Sequence, residues 1–146
     1  NTVLGLRPDL VTSAMGRAYL GFCSEKERER HLRWFRTDPD RNFSEADERR
    51  LRLLLERVRV DGYAIRDPRT KPHCTTTLAM PIREGESVHA LISISFFTTA
   101  IAKSEIAERI VAPLRATTTK IEEAFAFVNA GGLAPERTPE GLELGF

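Results

Sequence analysis

At 146 residues, 41% hydrophobic and 29% charged, the chain has the composition of a soluble globular protein long enough to bury its own core. Its 22 Lys and Arg against 21 Asp and Glu leave a formal net charge of +1. Basic clusters such as Arg28, Arg30, Arg33 and Arg36 alternate with acids at helical spacing, which describes a solvated face and argues against direct DNA contact.

No apolar run approaches a membrane span and no signal peptide opens the chain, so a cytoplasmic protein without membrane contact is expected. Cys23 and Cys74 have no CxxC spacing, and neither a disulfide framework nor a metal site is implied. Nothing points to a cofactor.

Taken in chain order, Thr2 to Leu6 is short and β-prone until Pro8 breaks it. From Ser13, Met15, Ala18, Tyr19 and Phe22 form a helical apolar stripe that ends near Cys23. Ser24 with Glu27 reads as a capping box for a helix over Glu25 to Phe35, burying Leu32 and Phe35 and adding Trp34. A polar loop with Pro39 follows. Ser44 with Asp47 repeats the cap before a helix whose inner face is Leu51, Leu54, Leu55 and Val58, closed at Asp61-Gly62.

Tyr63 to Arg66 suits a short strand, and Pro68 to Pro72 a loop. Thr75 to Arg83 and Val88 to Phe96, joined by a turn with Gly85, form the clearest hairpin. A long helix over Lys103 to Asn129 should kink or break at Pro113, and Gly131-Gly132 should end it. Residues 1–130 are thus read as one domain and 131–146 as a flexible or packed tail. The order of elements gives an α+β fold with a central, mostly antiparallel sheet and packed helices.

Three stretches together resemble the C-terminal domain of the IclR family of transcriptional regulators. They are Thr12-Ser13-Ala14-Met15-Gly16-Arg17-Ala18-Tyr19-Leu20, then Gly62-Tyr63-Ala64-Ile65 with Leu78-Ala79-Met80-Pro81-Ile82, and Ala90-Leu91-Ile92-Ser93-Ile94-Ser95. Their order and spacing are similar to the family's from about residue 8 to residue 128. Gly16 to Cys23 also resembles the branch that activates aromatic-acid catabolism.

The resemblance implies a GAF-like effector sensor and not an enzyme, in a dimeric or tetrameric regulator. DNA would be bound by a winged helix-turn-helix that this sequence does not contain. The family's sensor also carries a helix and strands that would precede Asn1, so the N-terminal part of the domain is expected to be missing and a sheet edge left unpaired.

The resemblance also implies a small effector, such as an aromatic or other carboxylate, on one face of the sheet. Backbone amides at the start of the first helix would receive its carboxylate, which suits the partial positive charge there. Ser13, Ala14, Met15 and Gly16 fall at that position. The small size of Ser13, Ala14 and Gly16 would let a ligand approach the main chain, and equally suits close packing of helix on sheet. Ser93 and Ser95 share a strand face, while Ile92, Ile94 and Phe96 share the other. On the inner face of a central strand the two hydroxyls would need a ligand, water or a neighbouring carbonyl as partner.

Thr77 falls where many relatives carry a pocket cysteine. It joins the serines if paired residues sum to an even number, as Thr77 with Ser95 does, with an odd-length loop containing Gly85. Arg66 stands where the family usually has an acid, and could grip a carboxylate unless Asp67 neutralises it.

His31, His73 and His89 assemble into no catalytic order. Two rival expectations are a GAF-like redox enzyme using Cys23 or Cys74, and a ligand-free dimerisation module with a filled interior.

Overall fold

The computed structural model describes residues 9–131. The strand expected at Thr2 to Leu6 and the tail beyond Gly131 lie outside the described residues. Inside them, helices α1 (Ala14–Phe22), α2 (Glu25–Thr37) and α3 (Glu45–Asp61) precede β1 (Ala64–Ile65), β2 (Thr75–Glu84) and β3 (Ser87–Phe97), and α4 (Ala112–Asn129) follows.

Helix boundaries follow from local chemistry. Ser24 and Glu27 form a reciprocal capping box ahead of α2, as Ser44 and Asp47 do ahead of α3. The carbonyls at the end of α1 are taken up by the buried Arg28. Its Nε donates to the Leu20 carbonyl and its Nη2 to that of Cys23, each at 2.8 Å. Gly62 ends α3 in the left-handed conformation, φ +81°, that glycine adopts without steric cost.

The sheet has three antiparallel strands in the order β1-β2-β3. It lies between two helical layers, as the core clusters record. On one face Ala14, Ala18, Val58, Ala64 and Ala79 pack together; behind them Leu20, Leu32, Phe35, Leu51 and Leu55 bind α1 to α2 and α3. On the other face Leu78 and Met80 meet Ile110, Val111 and Leu114, with Ile92 and Phe96 alongside. Trp34 stays half exposed; its ring lies under the Arg41 guanidinium, 5.3 Å away, while Phe35 takes the buried position.

The hairpin differs from expectation in one respect. Thr77 pairs with Ser95 and Ala79 with Ser93, but Gly85 and Glu86 form a two-residue turn between Glu84 and Ser87. The odd residue sits in a β-bulge instead: Ile82 pairs with Ala90 and Arg83 with Val88, so His89 is extra. Gly85, at φ +59°, supplies the positive φ that so short a turn demands.

The run after β3 breaks at Pro113 in an identifiable way. A 3₁₀ turn (Lys103–Glu105) and a π-helical turn (Ala107–Val111) come first, with the Ala112 amide donating to the Ala107 carbonyl five residues back. Pro113 then falls in the first turn of α4, where a missing amide leaves no bond unmade. Among the described residues no helix is long and apolar enough to cross a membrane.

Gly16 tests how tightly α1 is seated. A Cβ there would stand 2.4 Å from Leu10 Cα and 2.6 Å from its carbonyl oxygen, both backbone atoms that cannot yield cheaply. Gly16→Ala is therefore expected to lower stability by about 1–3 kcal/mol, read as a fall in the urea-unfolding midpoint at unchanged m-value.

Candidate functional site

Helix α1 lies across β2 and β3 with its two ends fixed at opposite ends of the sheet. At the carboxyl end the Arg83 guanidinium stands 4.8 Å from the Phe22 ring. At the amino end Arg17, buried, donates from Nε to the Val11 carbonyl (2.7 Å), from Nη1 to the Ile65 carbonyl (3.0 Å) and from Nη2 to Asp67 Oδ2 (2.8 Å). The Asp67 amide returns a bond to the Thr12 carbonyl at 2.8 Å. The start of α1 is thus clamped where β1 ends, beside Thr77, whose carbonyl accepts from the Arg66 amide.

The amino end of α1 is capped from within. Ser13 Oγ accepts from the Gly16 amide at 3.0 Å, which leaves the Ala14 and Met15 amides outside the cap. Ala14 is buried in the core, and Gly16 is small because the Leu10 backbone crosses it. For these two residues, packing accounts for the small side chain.

Strand alternation places Thr77, Ser93 and Ser95 on the α1 face, together with Ala79 and Leu91. The Thr77 and Ser95 hydroxyls are 2.8 Å apart and hydrogen bonded. The sequence expectation of an inner, central-strand position needs correction. Among the described residues β3 is an outer strand of the sheet, and Ser93 and Ser95 are exposed, so their hydroxyls need no protein partner. Ile92 and Phe96 pack towards α4 as expected, while Ile94 is 38% exposed.

Arg66 is engaged elsewhere. Its guanidinium donates to the carbonyls of Lys71 (3.4 Å), Pro72 (2.7 Å) and Thr75, and so folds the 67–75 loop onto the strand. It also lines a cavity on the far side of the sheet. Asp67 does not neutralise it: both carboxylate oxygens turn to Arg69 (3.0 and 2.8 Å), and Oδ2 also to Arg17.

Cys23 is buried and burial pushes its thiol pKa up, the reverse of what a reactive thiolate needs. Cys74 is exposed. His31 sits edge-on to Tyr19, His73 meets the Pro68 carbonyl, and His89 pairs with Glu84 at 3.2 Å, so the three histidines occupy separate places. No cluster of three or more potential metal ligands occurs among the described residues.

Sequence reasoning missed the Arg17–Asp67 clamp. The available signal was a lone charge within Ala14-Met15-Gly16-Arg17-Ala18-Tyr19-Leu20, a helix otherwise small and apolar. A buried arginine needs a buried acid.

A three-layer α+β domain, with its first helix clamped over a hydroxyl-bearing sheet face, belongs to a known class of regulator domains. Residues 1–123 match the family model described as Bacterial transcriptional regulator IclR C-terminal, and the chain belongs to the IclR family.

Solved structures agree on the fold. A transcriptional regulator of Rhodococcus sp. RHA1 superposes with TM-score 0.69 at 22% identity, covering 88% of this chain and 52% of that one. The C-terminal domain of E. coli KdgR gives 0.65 at 25%, covering 82% and 72%. The inducer-binding domain of Acinetobacter PobR, a double mutant in complex with 3-hydroxybenzoic acid, gives 0.63 at 16%, covering 82% and 68%. The chain spans about half the length of the Rhodococcus regulator.

The clamp has a pH signature. The Arg69 guanidinium, then the Arg69 amide and the Arg17 charge, hold the Asp67 carboxyl far below the usual carboxylate range against the opposing effect of burial. A depressed folded pKa contributes stability that is complete above the unfolded carboxylate pKa and is lost as pH falls towards the folded value. Asp67→Asn strands Arg17 in the interior and is expected to cost about 3–5 kcal/mol at neutral pH. Because this group no longer titrates in the variant, urea midpoints measured from about pH 5 to about pH 2 should converge with wild type as the acid is added.

Proposed function

We propose that this domain is the effector sensor of a cytoplasmic regulator, taking a small carboxylate on the α1 face of the sheet. The observation that carries the reading is that the amino end of α1 and the hydroxyls of Thr77, Ser93 and Ser95 share one face and one end of the sheet. The Ala14 and Met15 amides, with the helix dipole behind them, suit the carboxylate. Ser13 and Gly16 hold that turn in shape through the cap. The hydroxyls suit a ring substituent or the second carboxylate oxygen. PobR, with its bound 3-hydroxybenzoic acid, supports an aromatic acid as the first class to test.

In the longer regulator such a ligand would shift a dimer or tetramer between two arrangements. It would thereby alter operator binding by the N-terminal winged helix-turn-helix of the family. It can do so only through unequal affinity for the two arrangements.

Isothermal titration of this chain with 3-hydroxybenzoate, and with the neutral 3-hydroxybenzamide as control, tests the site. The carboxylate is expected to bind and the amide to bind at least about tenfold more weakly, since a charge-assisted bond contributes about 1.5–3 kcal/mol. Ser93→Val and Thr77→Val should each weaken the acid by roughly three- to tenfold, matching one lost neutral hydrogen bond. Equal affinities for wild type and both variants would remove the assignment.

A further inference from the structure

The face of the sheet turned away from α1 carries a cavity of about 440 Å³, within the range that small-molecule sites occupy. It opens where β1 and β2 meet the segment that follows β3. Ile65, opposite Leu78, and Phe96, opposite Thr76, reach it from the strands, and strand alternation sets both on the α4 side. Tyr63, Ile101 and Ile106 complete an apolar lining.

Two cations, Arg66 and Lys103, stand in the wall, and among the described residues no carboxylate does. The acids nearest to them in sequence are committed elsewhere. Asp67 binds Arg17 and Arg69. Glu105 accepts from the Ala102 amide at 3.1 Å with one oxygen and from Arg109 at 3.4 Å with the other. Among the described residues the bonds of Arg66 go from Nη1 and Nη2 to neutral oxygens, so no bonded acid offsets its charge and its Nε–H makes no bond.

An apolar hollow with a cationic wall and no acid selects one chemistry. The hydrocarbon part of a ligand gains by leaving water, while its negative end stays near solvent beside the two cations. A neutral apolar molecule gains only the first term, and a small hydrophilic anion only the second.

We propose that this cavity is a second ligand site, separate from the α1 face, that binds a monocarboxylate with an extended apolar body, such as a medium-chain fatty acid or an arylalkanoic acid. Strand alternation sets the two sites on opposite sides of one sheet, so they bind independently as far as direct contact is concerned.

The test follows isoleucine δ1-methyl signals by NMR while the chain is titrated with octanoate or with 1-octanol. Octanoate is expected to move the Ile65, Ile101 and Ile106 signals saturably at sub-millimolar concentration, and octanol to bind at least five-fold more weakly. Lys103→Gln, at an exposed position, should narrow that preference at least two-fold. Ala107→Trp, which fills the cavity from an exposed lining position, should abolish the shifts, with an unchanged Ile82 signal confirming that the fold is intact.

Unmoved signals at millimolar octanoate, equal affinity for the alcohol, or an undisturbed titration in Ala107→Trp would each overturn the proposal. Ser93→Val should leave the octanoate titration unchanged. If it abolishes octanoate binding, the ligand sits on the α1 face and this cavity is not its site.

Discussion

One buried ion pair determines where the first helix lies. Arg17 spans three separate pieces of chain: the turn before α1 through the Val11 carbonyl, the end of β1 through the Ile65 carbonyl, and the following loop through Asp67. A hydrophobic pair could fill the same volume, but it could not satisfy those two carbonyls. Buried pairs of this kind contribute little net stability, because desolvation offsets most of their attraction. What this one fixes is position. With small residues at Ala14, Gly16 and Ala18, α1 has little side-chain relief of its own to set its register on the sheet. The directional bonds of one guanidinium provide it.

The second constraint is the alternation of strand side chains. With Thr77 paired to Ser95, every odd-numbered residue from 77 to 81 in β2 and from 91 to 95 in β3 faces α1, and every even-numbered neighbour faces α4. The hydroxyl-bearing face and the face that packs on Ile110, Val111 and Leu114 are therefore fixed together. The bulge at His89 lets the hairpin close in a two-residue turn without reversing the two faces along the rest of the ladder. The bulged His89 itself stacks near Phe125 of α4, with ring centroids 6.2 Å apart, and Glu84 accepts from Asn129, so the hairpin tip is held to the last helix.

What was legible in the sequence was what depends on near neighbours. Both capping boxes, the left-handed stop at Gly62 and the hairpin pairing each involve residues a few positions apart, or a strict period of two. The family was legible because its motifs recur in order along the chain. The contacts made over distance were not. Arg17 and Asp67 are 50 residues apart, and only the folded chain shows that Asp67 turns from its neighbour Arg66 towards α1. The exposure of Ser93 and Ser95 was equally hidden, since a strand's own residues do not say whether, among the described residues, another strand lies beyond it. Pro113 marked a break, but the π-helical turn that accommodates it depends on how Ile110 and Val111 pack against the sheet.

The distribution of charge separates surface from site. Along α2 and α3 most of the arginines meet acids one turn away or on the facing helix: Arg52 bridges Glu48 and Glu29 at 2.8 and 2.6 Å, and Arg36 reaches Glu48 at 3.2 Å. Such pairs at the surface contribute little individually and are weakened by salt. Their effect is to cancel field locally, so that a nearly balanced chain of 22 basic and 21 acidic residues also has its charges mixed in space. Against that background an arginine whose bonds go only to carbonyl and hydroxyl oxygens keeps a charge that no bonded acid offsets. Arg66 is in that position because its loop carbonyls need donors and its neighbouring acid is held by the clamp on α1. The same pair that seats the first helix thus also leaves a positive charge at its own end of the sheet, beside the cavity on the opposite face.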